Sequence, residues 1–199
     1  MNFFKHLFLN GSGLLLLLLC ACGSEKKQVT SAPVDPAVQK QEENYFPVTT
    51  YIRGQINDIK LNAVNPLQII TTNNRIDSSW VKIESLDTVF REFLFPLIDT
   101  ANLKPLFSEE KFLDNSINAY TWTYQPIKTL PDSMQLQSWS VYVNPSTNRV
   151  EKIFMVKSLH DKKQLQLYWL ADSAGKIVQI KDSSGMAVLE KETVIKWDF

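Results

Sequence analysis

The sequence predicts an α+β domain in which two N-terminal helices pack on a long antiparallel β-meander sheet, as a single two-layer domain. Apolar residues recur at three- and four-residue steps in two early segments, which is the pattern of amphipathic helices. In the second half of the chain apolar and polar residues alternate, as in strands with one buried face. The connections between those strands are short, so neighbouring strands must be antiparallel. Helices that bury one stripe against one sheet face give two layers.

The first helix is predicted from an apolar stripe that begins at residue 45. The stripe consists of Tyr45, Val48, Ile52, Ile56 and Ile59. Pro47 suits the first helical turn, where a missing N–H costs nothing, and Pro66 ends the segment because the residue before a proline disfavours helical geometry. Two short β-prone runs follow at Leu67–Thr72 and Trp80–Ile83, with turn residues between them.

The second helix is predicted to begin at Ser85, which can cap it, with Asp87 in the first turn to complement the helix dipole. Its broad apolar face consists of Leu86, Val89, Phe90, Phe93, Leu94 and Leu97. Pro96 should kink or end this helix. Residues 99–111 are expected to be irregular or to form a further helical turn.

The meander is predicted from Ile117 to the C-terminus. Its strands are expected at Tyr120–Tyr124, Trp139–Val143, Val150–Lys157, Leu165–Trp169, Ile177–Lys181 and Leu189–Phe199. Clusters of Asn, Asp, Ser, Pro and Gly at 144–148, 172–175 and 182–185 are expected to form turns between them.

The N-terminus has the features of a signal peptide. Lys5 and His6 form a short basic region, and an unbroken run of leucines, Leu14–Leu19, follows it. The apolar part is too short to cross a hydrocarbon core as a stable helix, which takes roughly 20 residues.

Leu19-Cys20-Ala21-Cys22 resembles the lipobox of bacterial lipoproteins. The resemblance implies cleavage before Cys22, because Ala21 is small enough for the peptidase and the thiol receives the diacylglycerol. Cys20 departs from the residues that are usual at its position. Gly23, rather than an aspartate, follows the cysteine, which by the same resemblance favours the outer membrane. The competing interpretation is an ordinary secretory signal with two idle cysteines.

These features divide the chain into a signal peptide at 1–21, a lipidated cysteine with a disordered tether at 22–44, and one envelope domain at 45–199. The tether is polar and holds no aromatic residue, so it has little to bury. Roughly 20 such residues reach on the order of 25 Å. Loss of 1–21 removes one lysine and leaves one net negative charge, which gives no electrostatic drive toward nucleic acid.

With this layout the chain resembles the small uncharacterised lipoproteins of Bacteroidetes-type bacteria. Besides the lipobox, the segments that carry the likeness are 107–117, 121–124 and 141–150. The resemblance implies a lipid anchor in the cell envelope and an α+β fold, and it implies no reaction.

Few residues suited to catalysis or metal binding occur after Cys22. His160 is the only histidine there, so we expect no metal site and no cofactor. Ser158, His160 and Asp161 are neighbours along the chain, whereas a catalytic triad converges from separate segments, so a solvated hairpin loop is expected. Acidic residues around the second helix could hydrolyse a glycan if two of them faced each other. These residues are Glu84, Asp87, Glu92, Glu109, Glu110 and Asp114.

The aromatic residues on the predicted strands form the candidate binding surface. They are Tyr120, Trp122, Tyr124, Trp139, Tyr142, Tyr168 and Trp169. Rings on strands usually belong to the core. Trp139 and Tyr142 nevertheless lie on opposite faces of one strand, as do Tyr168 and Trp169, so one ring of each pair could line an exposed surface.

We therefore expect a lipid-anchored envelope protein that acts as a non-enzymatic binding or structural module and docks a protein, a peptide or a glycan. Its membrane partner is reached through the anchor, and nucleic acid is not a partner. One alternative is an envelope glycan hydrolase with paired carboxylates, and another is an inhibitor or chaperone of another envelope protein.

Overall fold

The computed structural model describes residues 45–98 and 100–198, all of which belong to one compact unit, Glu42–Phe199. This part is mostly β, with nine strands in one antiparallel sheet and few helices. The strands are β1 Leu67–Thr72, β2 Arg75–Trp80, β3 Phe107–Asp114, β4 Ala119–Pro126, β5 Leu136–Val143, β6 Val150–Leu159, β7 Lys163–Leu170, β8 Ala174–Ser183 and β9 Met186–Lys196. The helices are α1 Val48–Leu61, α2 Leu86–Val89, α3 Arg91–Leu94 and α4 Thr100–Leu103, with a 3-10 turn at Ile83–Ser85.

The predicted antiparallel meander is confirmed. Strands β3 to β9 follow one another across the sheet in chain order, and the β1–β2 hairpin is added beside β9 to give the order β2-β1-β9-β8-β7-β6-β5-β4-β3. Every neighbouring pair is antiparallel. The sheet therefore has two edges, β2 and β3, which come from different parts of the chain.

The first predicted helix is α1, and it buries the predicted stripe. Val48, Ile52, Ile56 and Ile59 are all buried in the core, together with Tyr45 just before the helix. Four apolar side chains on one face at a 3.6-residue period are enough to hold the helix against the sheet.

The second predicted helix is replaced by short pieces: the 3-10 turn, α2 and α3. The break falls at Phe90, whose backbone leaves helical geometry after the poor helix formers Thr88 and Val89. Phe95 is extended before Pro96, so α3 ends at Leu94 as the proline requires.

Two strands lie where the sequence did not predict them. β2 occupies Arg75–Trp80 rather than Trp80–Ile83, because the Asn73-Asn74 loop has positive φ at both residues and returns the chain at once. β3 occupies residues 107–114, which were expected to be irregular or helical up to residue 111. Its residues do not alternate in polarity because charged residues lie on both faces of this edge strand.

We call the face of the sheet that α1 and residues 83–94 cover the inner face, and the opposite one the outer face. The inner-face core contains Phe90, the residue between α2 and α3, in edge-to-face contact with Trp169 at 5.0 Å and with Trp197 at 5.6 Å. Gly175 makes this packing feasible, since a Cβ there would lie 2.9 Å from a Phe90 ring carbon. This explains why a glycine expected to lie in a turn is instead inside β8.

Within residues 45–98 and 100–198, no helix has both the length and the apolar character needed to cross a bilayer.

Candidate functional site

The helical segments leave part of the inner face uncovered. Strand register places Lys191, Gln179, Leu165 and Lys157 in one row across β9, β8, β7 and β6. Of the covering segments, α3 borders this row, because Glu92 of α3 contacts Lys157. Lys157 and Leu165 of this row are buried, Gln179 is half-buried and Lys191 is exposed, so the inner face opens to solvent toward β9.

A cleft of about 470 Å³ occupies this uncovered region. It is lined by Arg91, Glu92, Gln135, Leu159, Leu165, Ile177, Gln179, Lys191 and Thr193. Three apolar side chains from three strands form its floor, and six polar or charged side chains surround them, so the lining is more polar than that of most small-ligand pockets. Its volume is in the range of small-ligand sites, about 300–1,000 Å³.

The cleft carries an excess of positive charge. Arg91 and Lys191 are both exposed, and neither forms an ion pair with another described residue. Glu92 is the one carboxylate among the described lining residues, and its charge is matched by the ammonium of Lys157 at 2.9 Å. Two cations are thus left to meet an anionic group of a ligand.

Lys157 is a buried lysine at the border of the cleft. Its exposed fraction is 1%, and register places it between Leu136 and Leu165. Burial lowers the pKa of Lys157, while the hydrogen bond to Glu92 acts in the opposite direction. The buried ammonium of Lys157 has Glu92 as its carboxylate partner. This ion pair holds the Glu92 side chain at the wall of the cleft.

A second groove, of about 520 Å³, adjoins the cleft, because Gln135 and Leu159 line both. It lies between the β4–β5 connection, residues 127–135, and the β6–β7 turn. His160 lines it and is exposed in that turn, where Asp161 and Lys162 have positive φ. The solvated loop that was expected at 158–161 is therefore shorter: Ser158 and Leu159 end β6, and the exposed turn is formed by His160, Asp161 and Lys162.

Three of the seven aromatic residues predicted to form a binding surface are buried in the core. Tyr124, Trp139 and Trp169 have no exposed surface. Tyr124 stacks on Trp139 at a centroid distance of 4.4 Å, and the Trp169 Nε1–H donates to Gln55 Oε1 at 2.8 Å. These rings cannot contact a ligand on the surface, because Tyr45 packs on Tyr124 and Trp139, and Phe90 and Phe93 pack on Trp169.

Tyr124 also anchors the edge of the sheet. Its hydroxyl donates to Glu109 at 2.5 Å and accepts a hydrogen bond from the Phe46 N–H at 3.1 Å. Burial, and then the bond to Glu109, raises the pKa of Tyr124, so the phenol stays protonated. Glu109 is thereby used structurally, and Lys111 pairs with it at 2.8 Å.

The other four predicted residues lie nearer to solvent, on two faces. Trp122 is half-buried on the inner face against Phe46, and Tyr120 is 42% exposed at the end of the same strand. Tyr142 and Tyr168 are half-buried on the outer face. The predicted set therefore does not converge on one surface.

Sequence reasoning missed Arg91 and Lys191, which line the cleft, and Lys157, which lies at its border. A signal for Lys157 was present, since it continues the buried alternation of Ile153 and Met155 on β6. The two exposed cations gave no signal, because their significance comes from the distant strands that meet beside them.

Among the residues the structure describes, no group of three or more His, Cys, Asp or Glu side chains could hold a metal ion. Cys22, the predicted lipidation site, and the predicted signal peptide and tether lie outside the described residues. Comparison with family models, with curated proteins and with solved structures finds no match to this chain.

Proposed function

We propose that this chain is a lipid-anchored cell-envelope protein whose domain is a non-enzymatic binding module, docking a short acidic and apolar peptide segment in the inner-face cleft. The observation that supports the proposal is the pairing of an apolar floor, Leu159, Leu165 and Ile177, with the two uncompensated cations Arg91 and Lys191. Apolar side chains of a ligand would be removed from water on the floor, and a carboxylate would meet the cations.

A peptide fits this lining better than a glycan does. Gln135 and Thr193 provide amide and hydroxyl groups that can bond to a peptide backbone, whereas the Gln179 amide N–H already donates to Glu190 Oε2 at 2.7 Å. A neutral glycan would leave both cations unmatched and would bring little apolar surface to the floor. An acidic segment of another envelope protein satisfies both, so docking, chaperone and inhibitor roles would all use the same cleft.

The alternative of a glycan hydrolase needs two carboxylates that face each other across a cleft. The described lining residues of the cleft supply one, Glu92, which is held by Lys157. Asp132 is the one carboxylate among the described residues that line the adjoining groove. This arrangement favours binding over hydrolysis.

The anchor in this proposal is Cys22, and the proposed location is the outer membrane. Both rest on the lipobox and on Gly23 after the cysteine. Metabolic labelling with a palmitate analogue should mark the wild-type chain and leave Cys22→Ser unmarked. An unlabelled wild-type chain, or a mature N-terminus elsewhere, would contradict the proposed anchor. It would not affect the cleft proposal, which is tested separately.

Fluorescence anisotropy on the full chain in detergent tests the cleft. The probe is a tetrapeptide of two leucines and two glutamates that carries a neutral dye, and its counterparts have two glutamines or two lysines. The acidic probe should bind best and more weakly at high salt. Replacing Arg91 or Lys191 with alanine should weaken binding about three- to tenfold, as loss of a charge-assisted hydrogen bond does.

Lys82→Ala is the matched control, because Lys82 is exposed and lies outside the lining of the cleft. It should leave affinity unchanged. Equal binding of the lysine probe, or no effect of either cleft substitution, would show that the two cations do not select the ligand.

A further inference from the structure

The groove beside the cleft continues the same surface. Gln135 and Leu159 line both depressions, so the two share a border. On β6, Leu159 follows Lys157 by two residues, and Lys157 lies opposite Leu165 of the cleft floor on β7. The Cα atoms of Leu159 and Leu165 are therefore on the order of 8 Å apart, a distance that an extended peptide covers with about two or three residues.

The floor of the groove is apolar. Leu130, Met134 and Leu159 line it, and all three are half-buried because each also packs against the buried core. Apolar surface that stays in contact with water at the bottom of a depression binds an apolar side chain favourably, because both surfaces leave water together.

The groove differs from the cleft in its charge. Apart from His160, the two ionisable side chains among the described residues that line it are Lys128 and Asp132, which are exposed and opposite in sign. The cleft, by contrast, has the two uncompensated cations Arg91 and Lys191. The groove therefore has no excess charge for an anionic group, and its floor suits an uncharged apolar part of a ligand.

Hydrogen bonds hold the wall of the groove in place. The Gln137 side-chain amide donates to the carbonyl oxygens of Met134 and Gln135, at 3.1 Å each. The Ser158 N–H donates to the Gln135 carbonyl oxygen at 2.7 Å, which joins the connection before β5 to the end of β6. A groove whose wall is fixed in this way needs little further ordering when a ligand enters.

We propose that the groove is a second subsite for the peptide that binds in the cleft. The acidic and apolar segment of the ligand fills the cleft, and a further apolar side chain, about two or three residues along the peptide, lies on Leu130, Met134 and Leu159. This inference rests on the proposed function of the cleft. The shared border supports one ligand for both depressions, and the apolar floor with balanced charge supports an apolar side chain in the groove.

Fluorescence anisotropy with longer probes tests the second subsite on the full chain in detergent. Two probes carry two added glycines and a leucine, one at either end of the acidic tetrapeptide, because both chain directions fit the geometry. Matched probes end in serine instead. One leucine probe should bind about five- to tenfold more tightly than the tetrapeptide, as burial of a leucine side chain gives after its loss of freedom. The serine probes should gain less than about twofold.

Met134→Gln makes the floor of the groove polar at similar side-chain size and leaves the lining of the cleft intact. It should reduce the gain from the added leucine to less than about threefold and leave the affinity for the tetrapeptide unchanged. Met186→Gln is the matched control, because Met186 is exposed and lines neither depression. It should preserve the full gain.

Methyl NMR of the wild-type chain gives a second readout that needs no variant. The tighter leucine probe should shift the methyl signals of Leu130 and Met134, whereas the tetrapeptide should leave them in place. The Met186 methyl signal should not respond to either peptide.

The outcomes separate the two proposals. A tetrapeptide that does not bind would overturn the cleft and the second subsite together. A tetrapeptide that binds, with both leucine probes no tighter than the serine probes, would overturn the second subsite alone. Met134 shifts that grow with chain concentration in the absence of peptide would assign the groove to a second copy of the chain and also overturn the proposal.

Discussion

The ion pair of Lys157 and Glu92 allows a quantitative prediction of stability, because its two side chains differ strongly in exposure to solvent. The side chain of Lys157 is 2% exposed, whereas that of its partner Glu92 is 41% exposed. A buried charge is costly even when paired, and replacing it with an apolar side chain of similar size is often neutral or stabilising by about 1–4 kcal/mol. Since Glu92 remains hydrated when it loses its partner, we expect Lys157→Met to stabilise the domain by about 1 kcal/mol.

Glu92→Gln should have the opposite effect. It leaves the Lys157 ammonium buried with a neutral acceptor, at a cost of about 1–3 kcal/mol, below the full cost of breaking a buried pair because Glu92 is partly screened by solvent. In the Lys157→Met background the same substitution should cost less than about 0.5 kcal/mol. Urea unfolding followed by tryptophan fluorescence measures all four chains of this cycle, with Lys82→Met as an exposed control.

The same pair makes a prediction about pH. Because burial lowers the folded-state pKa of Lys157 below its ordinary 10.5, the folded state releases its proton first as pH rises. The wild-type free energy of unfolding should therefore rise, relative to Lys157→Met, as pH increases from the lowered pKa toward 10.5. The stability prediction for Lys157→Met has its own refutation. A variant chain that is less stable than wild type by about 2 kcal/mol or more, roughly the cost of a lost core interaction, would show that burying this charge is not costly.

Three further predictions concern the core. Gly175→Val should destabilise the domain by about 1–3 kcal/mol, because Phe90 must move away from the new side chain; a melting temperature within 1 °C of wild type, roughly the error of the scan, would contradict this. Gln55→Ala leaves the Trp169 indole N–H without its acceptor and should cost about 1–3 kcal/mol in urea unfolding, whereas a neutral result would mean that water replaces the amide. Tyr124→Phe removes two hydrogen bonds and should speed amide exchange in β3 and β4. Unchanged exchange there would show that the hydroxyl is dispensable.

Much of the fold followed from periodicity. α1 and strands β4 to β7 were predicted because each buries one face, and their buried residues carry the signal. β3 and β2 were misjudged because both are edge strands with polar residues on both faces, so their sequences do not alternate. The second helix was predicted as one piece and is broken at Phe90, where the local sequence Thr88-Val89 favours a helix weakly and the Phe90 ring packs on Trp169 and Gly175, distant along the chain.

The candidate site was less predictable than the fold. Aromatic residues on strands suggested a surface, yet Tyr124, Trp139 and Trp169 are the core itself. The cleft instead depends on Arg91 of a short helix and on Lys191 of the last strand. The residues next to Arg91 and Lys191 in the chain do not indicate that these two side chains line one cleft. The order of strands in the sheet and the length of the helices decide which part of the inner face is exposed.

The measurement that tests the central claim most directly is methyl NMR of the full chain titrated with the acidic leucine-containing tetrapeptide. Leu159, Leu165 and Ile177 line the cleft floor, whereas Val178 and Val194 face the opposite side of the sheet. Binding in the cleft should shift the three floor methyl signals and leave the two valines in place. Shifts confined to the valines, or no shift at saturating peptide, would contradict binding in the cleft.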